Sequence, residues 1–309
     1  MKRILVTGAS GRIGRALVPR LLEKGYCVRA TVNQKPLPDA WRTEVESVQG
    51  SLTGNAVLAQ AVADADCICH LAGLMPPVPD DDIFRINVES TYRLLQAAAS
   101  LSNKPRFVFA SSDATYCTGW SKGAWSSPID ENTPQNPMLF YGVSKVLGER
   151  LCFHFEDIHR IPTVRLRLVW ILEAPEVLDL FLTAPYKEYV EDASIWNAPD
   201  IVPVPREASG RPFSEHICDV RDAAEAILLA LEQPGAPGQT FNIAGPAPFT
   251  YDQVSPWLAQ RLGRRPIPGN CRGIHSYEVS IAKARGILGY QPKYSVYESL
   301  DDALSRRQS

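Results

Sequence analysis

The chain has 309 residues, 45% of them apolar, with a formal net charge of −2 and a pI near 6.2. This length exceeds one minimal domain and suits a large α/β body with a modest second lobe. No long Lys/Arg run occurs, and no apolar run nears the ~20 residues of a membrane span, so nucleic acid and membrane are excluded as partners.

The first seven residues are too briefly apolar for a signal peptide and lead straight into a glycine turn. Residues 3–6 are predicted as a buried strand. Residues 12–23 have helical periodicity through Ile13, Ala16, Leu17 and Leu21, and Gly25 closes the helix. Strands are predicted at 26–32 and 45–49, then a helix from Thr53, as its N-cap, to 63, and a strand at 66–71. Pro76, Pro77 and Pro79 keep the next segment irregular. A long helix is predicted at 81–100 and a strand at 106–110, with Ser111 and Ser112 at its carboxyl end. Residues 113–137 read as a long polar loop carrying Trp120 and Trp125, a length that usually serves function. A helix at 138–155 and a strand at 163–170 follow. Beyond 171 the pattern loosens under many prolines, with helices near 219–232 and 251–261 and one strand at 240–243. Strand and helix in alternation predict a Rossmann-type, doubly wound parallel sheet with a smaller C-terminal lobe.

Seven cysteines stand at 27, 67, 69, 117, 152, 218 and 271. They read as reduced structural thiols of a cytoplasmic protein, with Cys67 and Cys69 on opposite faces of a strand. The five histidines share no ligand spacing with them, so no metal site is expected.

Four features carry chemistry. The turn Gly8-Ala9-Ser10-Gly11-Arg12-Ile13-Gly14 joins strand to helix, as a dinucleotide pyrophosphate requires. Arg12 is either a solvated side chain or a phosphate contact. The second strand ends in Asn33-Gln34-Lys35 without an acid. Lys35 and Arg12 lean the cofactor toward NADP, while Asn33 suits a ribose hydroxyl and NAD. Tyr141 and Lys145 lie one helical turn apart. An ammonium there, beside an oxidised nicotinamide ring, is expected to favour the phenolate and so move this general base toward working pH, and to bond the nicotinamide ribose. Ser112, at the carboxyl end of a strand, suits holding a substrate oxygen. Asp113 is a further acid or a turn cap. Trp120, Trp125, Trp170 and Trp196 either line a pocket or pack.

This set resembles the extended short-chain dehydrogenase/reductase family, the NAD-dependent epimerase/dehydratase group. The glycine turn resembles its cofactor signature, His70-Leu71-Ala72-Gly73 its fourth-strand motif, and Asn87-Val88 a later helix segment. Phe109 to Tyr116 resembles its serine strand, and Tyr141-Gly142-Val143-Ser144-Lys145 its catalytic helix. The run from His216 to Ala224 and the stretch from Ala282 to Pro292 resemble its closing segments.

The resemblance implies Ser112, Tyr141 and Lys145 as catalytic residues. It implies cofactor contacts from Gly8, Gly11, Arg12, Ile13, Gly14, Leu71, Ala72, Gly73 and Asn87. It also implies a homodimer that pairs the two long helices in a four-helix bundle. Residues 1–170, completed by parts of 214–245, are expected to form the NAD(P)-binding domain, and 171–309 mainly the substrate lobe.

Two departures stand out. Leu168 to Pro175 replaces the usual turn of the sugar-nucleotide members, and Pro212 stands where an arginine often does, with Arg211 one position off. The serine strand and catalytic helix also resemble uronate dehydrogenases. The expected function is an NAD(P)-dependent oxidoreductase or epimerase acting on a small molecule: a sugar, a sugar nucleotide or another secondary alcohol or ketone. A reductase of bulky apolar ketones and a non-catalytic NAD(P)-binding sensor are the alternatives. A substrate pocket without cations near Arg211 and Arg272 would favour the apolar ketone.

Overall fold

A computed structural model describes residues 2–116, 118–119, 128–183 and 185–308. Cys117, Trp120 and Trp125 lie outside them. β1 (Arg3–Thr7) leads through the glycine turn to α1 (Arg12–Glu23), then β2 (Cys27–Val32), β3 (Val45–Gln49), α2 (Asn55–Val62) and β4 (Cys67–His70). A continuous helical run follows, made of α3 (Asp80–Ile83), a π-helical turn (Phe84–Glu89) and α4 (Ser90–Ser100). β5 (Arg106–Ser112), α5 (Phe140–His159) and β6 (Thr163–Leu168) complete this part.

The central sheet has seven strands, ordered β11-β6-β5-β4-β1-β2-β3, where β11 is Thr240–Ile243. Every neighbouring pair is parallel. The chain winds outward in both directions from β1 and β4. Ligands bind such sheets in the crevice at the carboxyl ends of the strands, where the winding reverses.

Side-chain alternation along the strands sorts residues onto two faces. Ile4, Val6, Val108 and Ala110 meet Leu17 and Leu21 of α1 on one face. Leu5, Ile68, Phe107 and Phe109 meet Leu58, Leu94 and Phe155 on the other. Cys67 and Cys69 share the first face and Ile68 takes the second, which corrects the expected opposite orientation. Residues two apart on a strand point the same way. Two cations unusual for strands also find their reason here. Arg29 donates to the carbonyls of Gln60 and Ala61, and Arg106 to those of Ala230 and Leu231. Each closes a helix C-terminus, where positive charge is favoured.

Several boundaries move. α2 starts at Asn55 behind Gly54, because the Ser51 hydroxyl accepts from the Thr53 backbone N–H in a local turn. β6 stops at Leu168, and Trp170 turns the chain with a φ of +23°. β5 extends through Ser112, and α5 runs on to His159.

The later elements are β7 (Ile171–Leu172), α6 (Ala174–Leu182), β8 (Ile201–Glu207), β9 (Ser214–Glu215), β10 (Cys218–Asp219) and α7 (Val220–Glu232). After β11 come β12 (Phe249–Thr250), α8 (Tyr251–Leu262), β13 (Arg265–Cys271) and α9 (Val296–Gln308). β8 and β13 pair in parallel although both carry prolines. A proline donates no ladder hydrogen bond, which suits a two-stranded ribbon and not a sheet interior. Val177, Phe181, Tyr251, Leu258 and Leu300 form a separate core here. Fully burying each aliphatic or Phe side chain of this kind stabilises by about 1.5–3 kcal/mol. Among the described residues, no helix is long and apolar enough to cross a membrane.

Candidate active site

A cavity of about 750 Å³ opens at the carboxyl edge of the sheet. It starts at the glycine turn, passes Leu71 and Gly73, reaches Ser112, Tyr141 and Lys145, and ends among side chains of the later elements. Gly8 has a φ of +71°, and a Cβ there would meet the Ala72 backbone nitrogen at 2.8 Å. The wall is therefore bare backbone. Behind it the Thr7 hydroxyl bonds His70 Nδ1 at 2.7 Å and accepts from the Ala72 N–H at 3.2 Å. His70 Nε2 continues to Thr91 at 2.8 Å. Burial drives His70 down to about 3, so it stays neutral in this chain of bonds. α1 begins with no capping side chain and no acid in its first turn, which leaves its N–H groups and positive end for an anion. Bare backbone beside such a helix end fits a dinucleotide pyrophosphate.

Ser112 ends β5, and its hydroxyl accepts from the Ala114 N–H at 3.1 Å. Ser112 is thus the cap of the short turn that follows. The Asp113 carboxylate accepts from Ser112 Oγ at 3.2 Å and Thr118 Oγ1 at 3.1 Å. Burial pushes Asp113 up to about 6. Gly142 sets how closely α5 approaches this turn, since a Cβ there would lie 2.3 Å from the Ala114 carbonyl oxygen. The approach brings the Tyr141 phenol into hydrogen-bond contact with Ser112.

Lys145 is 6% exposed. Its Nζ donates to the Ala110 carbonyl at 2.8 Å and sits 5.6 Å from the Tyr141 ring centroid. Burial lowers it to about 8, against the pull of Glu149. Burial dominates at Tyr141 and raises the phenol to about 12; the Ser112 hydrogen bond opposes this and Asp113 adds to it.

Gly8, Gly11, Arg12, Ile13, Gly14, Leu71 and Gly73 all line the cavity, as do Ser112, Tyr141 and Lys145. Three expected contacts are otherwise engaged. Arg12 donates to the Ile171 carbonyl at 2.8 Å and pairs with Glu176, so it ties α1 to α6. Asn87 sits in the π-helical turn, accepts from the Leu74 N–H at 2.7 Å and donates to Ser144 Oγ at 3.0 Å. It clamps the segment after β4. Asn33 is exposed at the end of β2, away from the cavity lining, and its carbonyl accepts from Gln49. The Ser10 hydroxyl donates to the Lys35 carbonyl at 3.0 Å, which holds Lys35 beside the glycine turn. Trp170 lines the cavity, whereas Trp196 packs in the lobe core and donates to the Ile267 carbonyl at 2.9 Å.

Sequence reasoning missed two groups. Glu149 lies one turn beyond Lys145, 1% exposed, and accepts from Ser111 Oγ at 2.6 Å and from Arg167 at 2.9 and 2.8 Å. Its i+4 spacing from Lys145 is the signal that was available. Glu215 lies in the cavity wall and accepts from the hydroxyls of Tyr186 and Tyr251 at 2.5 and 2.6 Å. Burial and the charge of Asp113 push it up to about 7. No local pattern marks it.

Residues 4–244 match the NAD dependent epimerase/dehydratase family. The chain belongs to that family. Similar known proteins include an L-arabinose 1-dehydrogenase (NAD(P)(+)) of Haloferax volcanii, 31% identical over 188 residues that cover 57% of this chain and 70% of the relative. An uncharacterised UDP-glucose epimerase of Bacillus subtilis is 25% identical over 98% of this chain and 97% of its own. A short-chain dehydrogenase/reductase superfamily protein of Agrobacterium tumefaciens, solved with bound NAD, superposes with a TM-score of 0.85. It is 31% identical over 99% of this chain and 97% of its own. Family membership makes this chain an NAD-dependent enzyme of the epimerase/dehydratase and dehydrogenase type.

Proposed function

We propose that the cavity is the active site of an NAD(P)-dependent oxidoreductase acting on a secondary alcohol or ketone of a sugar-like substrate. The observation that carries this reading is the meeting of Ser112, Tyr141 and Lys145 on one cavity with the glycine turn. When bound, a nicotinamide dinucleotide supplies the two-electron acceptor or donor. Gly8, Gly11, Gly14 and the start of α1 would hold its pyrophosphate, and Leu71 and Gly73 its flank. Tyr141 Oη takes the proton from the substrate hydroxyl, or returns it to the carbonyl oxygen. Ser112 Oγ donates to that same oxygen and fixes its place. Lys145 is the chain's own cation for holding the phenolate. Lys35 beside the turn, with no acid near it on the second strand, favours NADP over NAD.

Lys145→Met is expected to lower turnover by about 10²-fold or more, within the usual range for losing acid–base assistance. The assay uses NAD and NADP in parallel across a panel of sugars and ketones. Turnover unchanged in the variant would remove the acid–base reading.

The separate core around Phe181 and Tyr251 supports a division into a nucleotide-binding part and a substrate lobe. The unpaired thiols fit a reducing cytoplasm. Phe84, Tyr92, Leu147 and Ile158 are exposed on the 80–100 helical run and α5. They favour a homodimer that buries these two helices. Sedimentation should give a dimer that Leu147→Glu together with Ile158→Glu dissociates.

A further inference from the structure

The substrate half of the cavity carries acids and aromatic rings but, among the described residues, no cation. Asp113, Glu188 and Glu215 all stand in its wall. Two described cations line the cavity, and neither is offered to its substrate half. Arg12 pairs with Glu176, and the Lys145 ammonium faces the Ala110 carbonyl at the proton-transfer end. The arginines that would reach a phosphate or carboxylate are elsewhere. Arg211 pairs with Glu207 and Arg272 with Glu191; both side chains are strongly exposed, and neither lines the cavity. Trp170, Tyr186, Tyr189, Phe213 and Tyr277 supply flat apolar faces in the same wall.

We infer that this site takes an uncharged secondary alcohol or ketone with an apolar or C–H-rich face, and that Glu215 is a specificity-determining residue that excludes anions. The inference rests on the reading that the substrate meets Tyr141 in this cavity. Glu215 cannot turn aside from an incoming anion, because two tyrosine hydroxyls hold its carboxyl group in place. It also lies near enough to Asp113 to feel that residue's charge. An anionic group placed here meets like charge in a poorly screened space and, among the described residues, finds no guanidinium or ammonium to pair with. The diphosphate of a nucleotide sugar and the carboxylate of a sugar acid are both disfavoured. A neutral sugar ring stacks its C–H face on the aromatic wall, and an aryl ketone stacks its ring there.

The test is steady-state turnover of the full chain at about pH 8.5, above the Glu215 value of about 7 so that its carboxylate is charged, with saturating NAD or NADP on matched substrates. D-galactose, D-galacturonate, UDP-glucose and acetophenone with reduced cofactor form the panel; the galactose and acetophenone arms separate the two neutral sources. A neutral arm should exceed galacturonate in kcat/KM by about 100-fold or more, the size of one close like-charge contact. UDP-glucose should neither react nor compete at millimolar concentration. Glu215→Gln should narrow the neutral-to-acid ratio by at least about 10-fold. Should that variant fail to fold, Glu188→Gln at the exposed rim should narrow it in the same sense by less. Turnover of galacturonate or UDP-glucose as good as that of a neutral arm would overturn the inference, as would a ratio that the variants leave unchanged. If no arm reacts at all, it is the oxidoreductase reading that falls. Thermal protection of the cofactor-loaded protein then decides the present claim: protection by UDP-glucose overturns it, and protection by the neutral ligands alone supports it.

Discussion

The wall of the cavity under the sheet edge is made of backbone, and the wall facing it is made of side chains. On the sheet side, Gly8 and the start of α1 present main-chain atoms, and the Thr7–His70–Thr91 bonds lock them from behind. On the lobe side, Trp170, Tyr186, Phe213 and Glu215 set the shape, held by hydroxyl contacts and aromatic packing. A backbone wall tolerates little variation, because the close approaches that form it admit no Cβ. A side-chain wall is re-formed by substitution without moving the chain. One fold thereby keeps its cofactor while its substrates change.

This comparison can be broken at its supports. The Glu149–Arg167 pair braces the sheet-side wall, since it joins α5, β6 and the Ser111 end of β5. Glu149→Ala leaves the Arg167 guanidinium buried without its carboxylate. Urea unfolding should report a loss of about 3–5 kcal/mol, the usual cost of breaking one side of a buried pair. A loss below about 1 kcal/mol would show that the wall does not depend on this brace.

A smaller effect is expected from the lobe side. The folded-state pKa of Glu215, about 7, lies above its ordinary 4.5. Its contribution to stability is therefore fully present below about pH 4.5 and is lost as pH rises through about 7. Asp113 shifts in the same sense, while the neutral burial of His70 and His216 acts in the opposite one. The difference between wild type and Glu215→Gln isolates the one group. Between about pH 5 and about pH 8, the wild-type Tm should fall relative to that of the variant. Parallel Tm curves would contradict a buried, titrating Glu215.

The same contrast explains what the sequence made legible. The parallel sheet follows from short apolar runs alternating with amphipathic helices. Gly8 with Gly14, Ser112, and Tyr141 with Lys145 each stand in a short motif at a strand's carboxyl end or on the helix beside it, so the parallel sheet brings them to one edge. The lobe is different. β8 and β13 are 58 residues or more apart in sequence and carry prolines that argue against strands, so only their tertiary pairing reveals them. Glu215 becomes part of a site only because Tyr186 and Tyr251 arrive from distant segments. The burial that raises Tyr141 was also hidden, since it depends on how the elements pack around the phenol.

The central claim is that the Tyr141 hydroxyl moves the proton at the reacting oxygen. Tyr141→Phe removes one oxygen and leaves the ring, the helix and the glycine turn in place. Turnover measured beside cofactor affinity should show kcat lower by about 10³-fold or more with the cofactor Kd essentially unchanged. A variant that turns over at close to the wild-type rate would contradict the account.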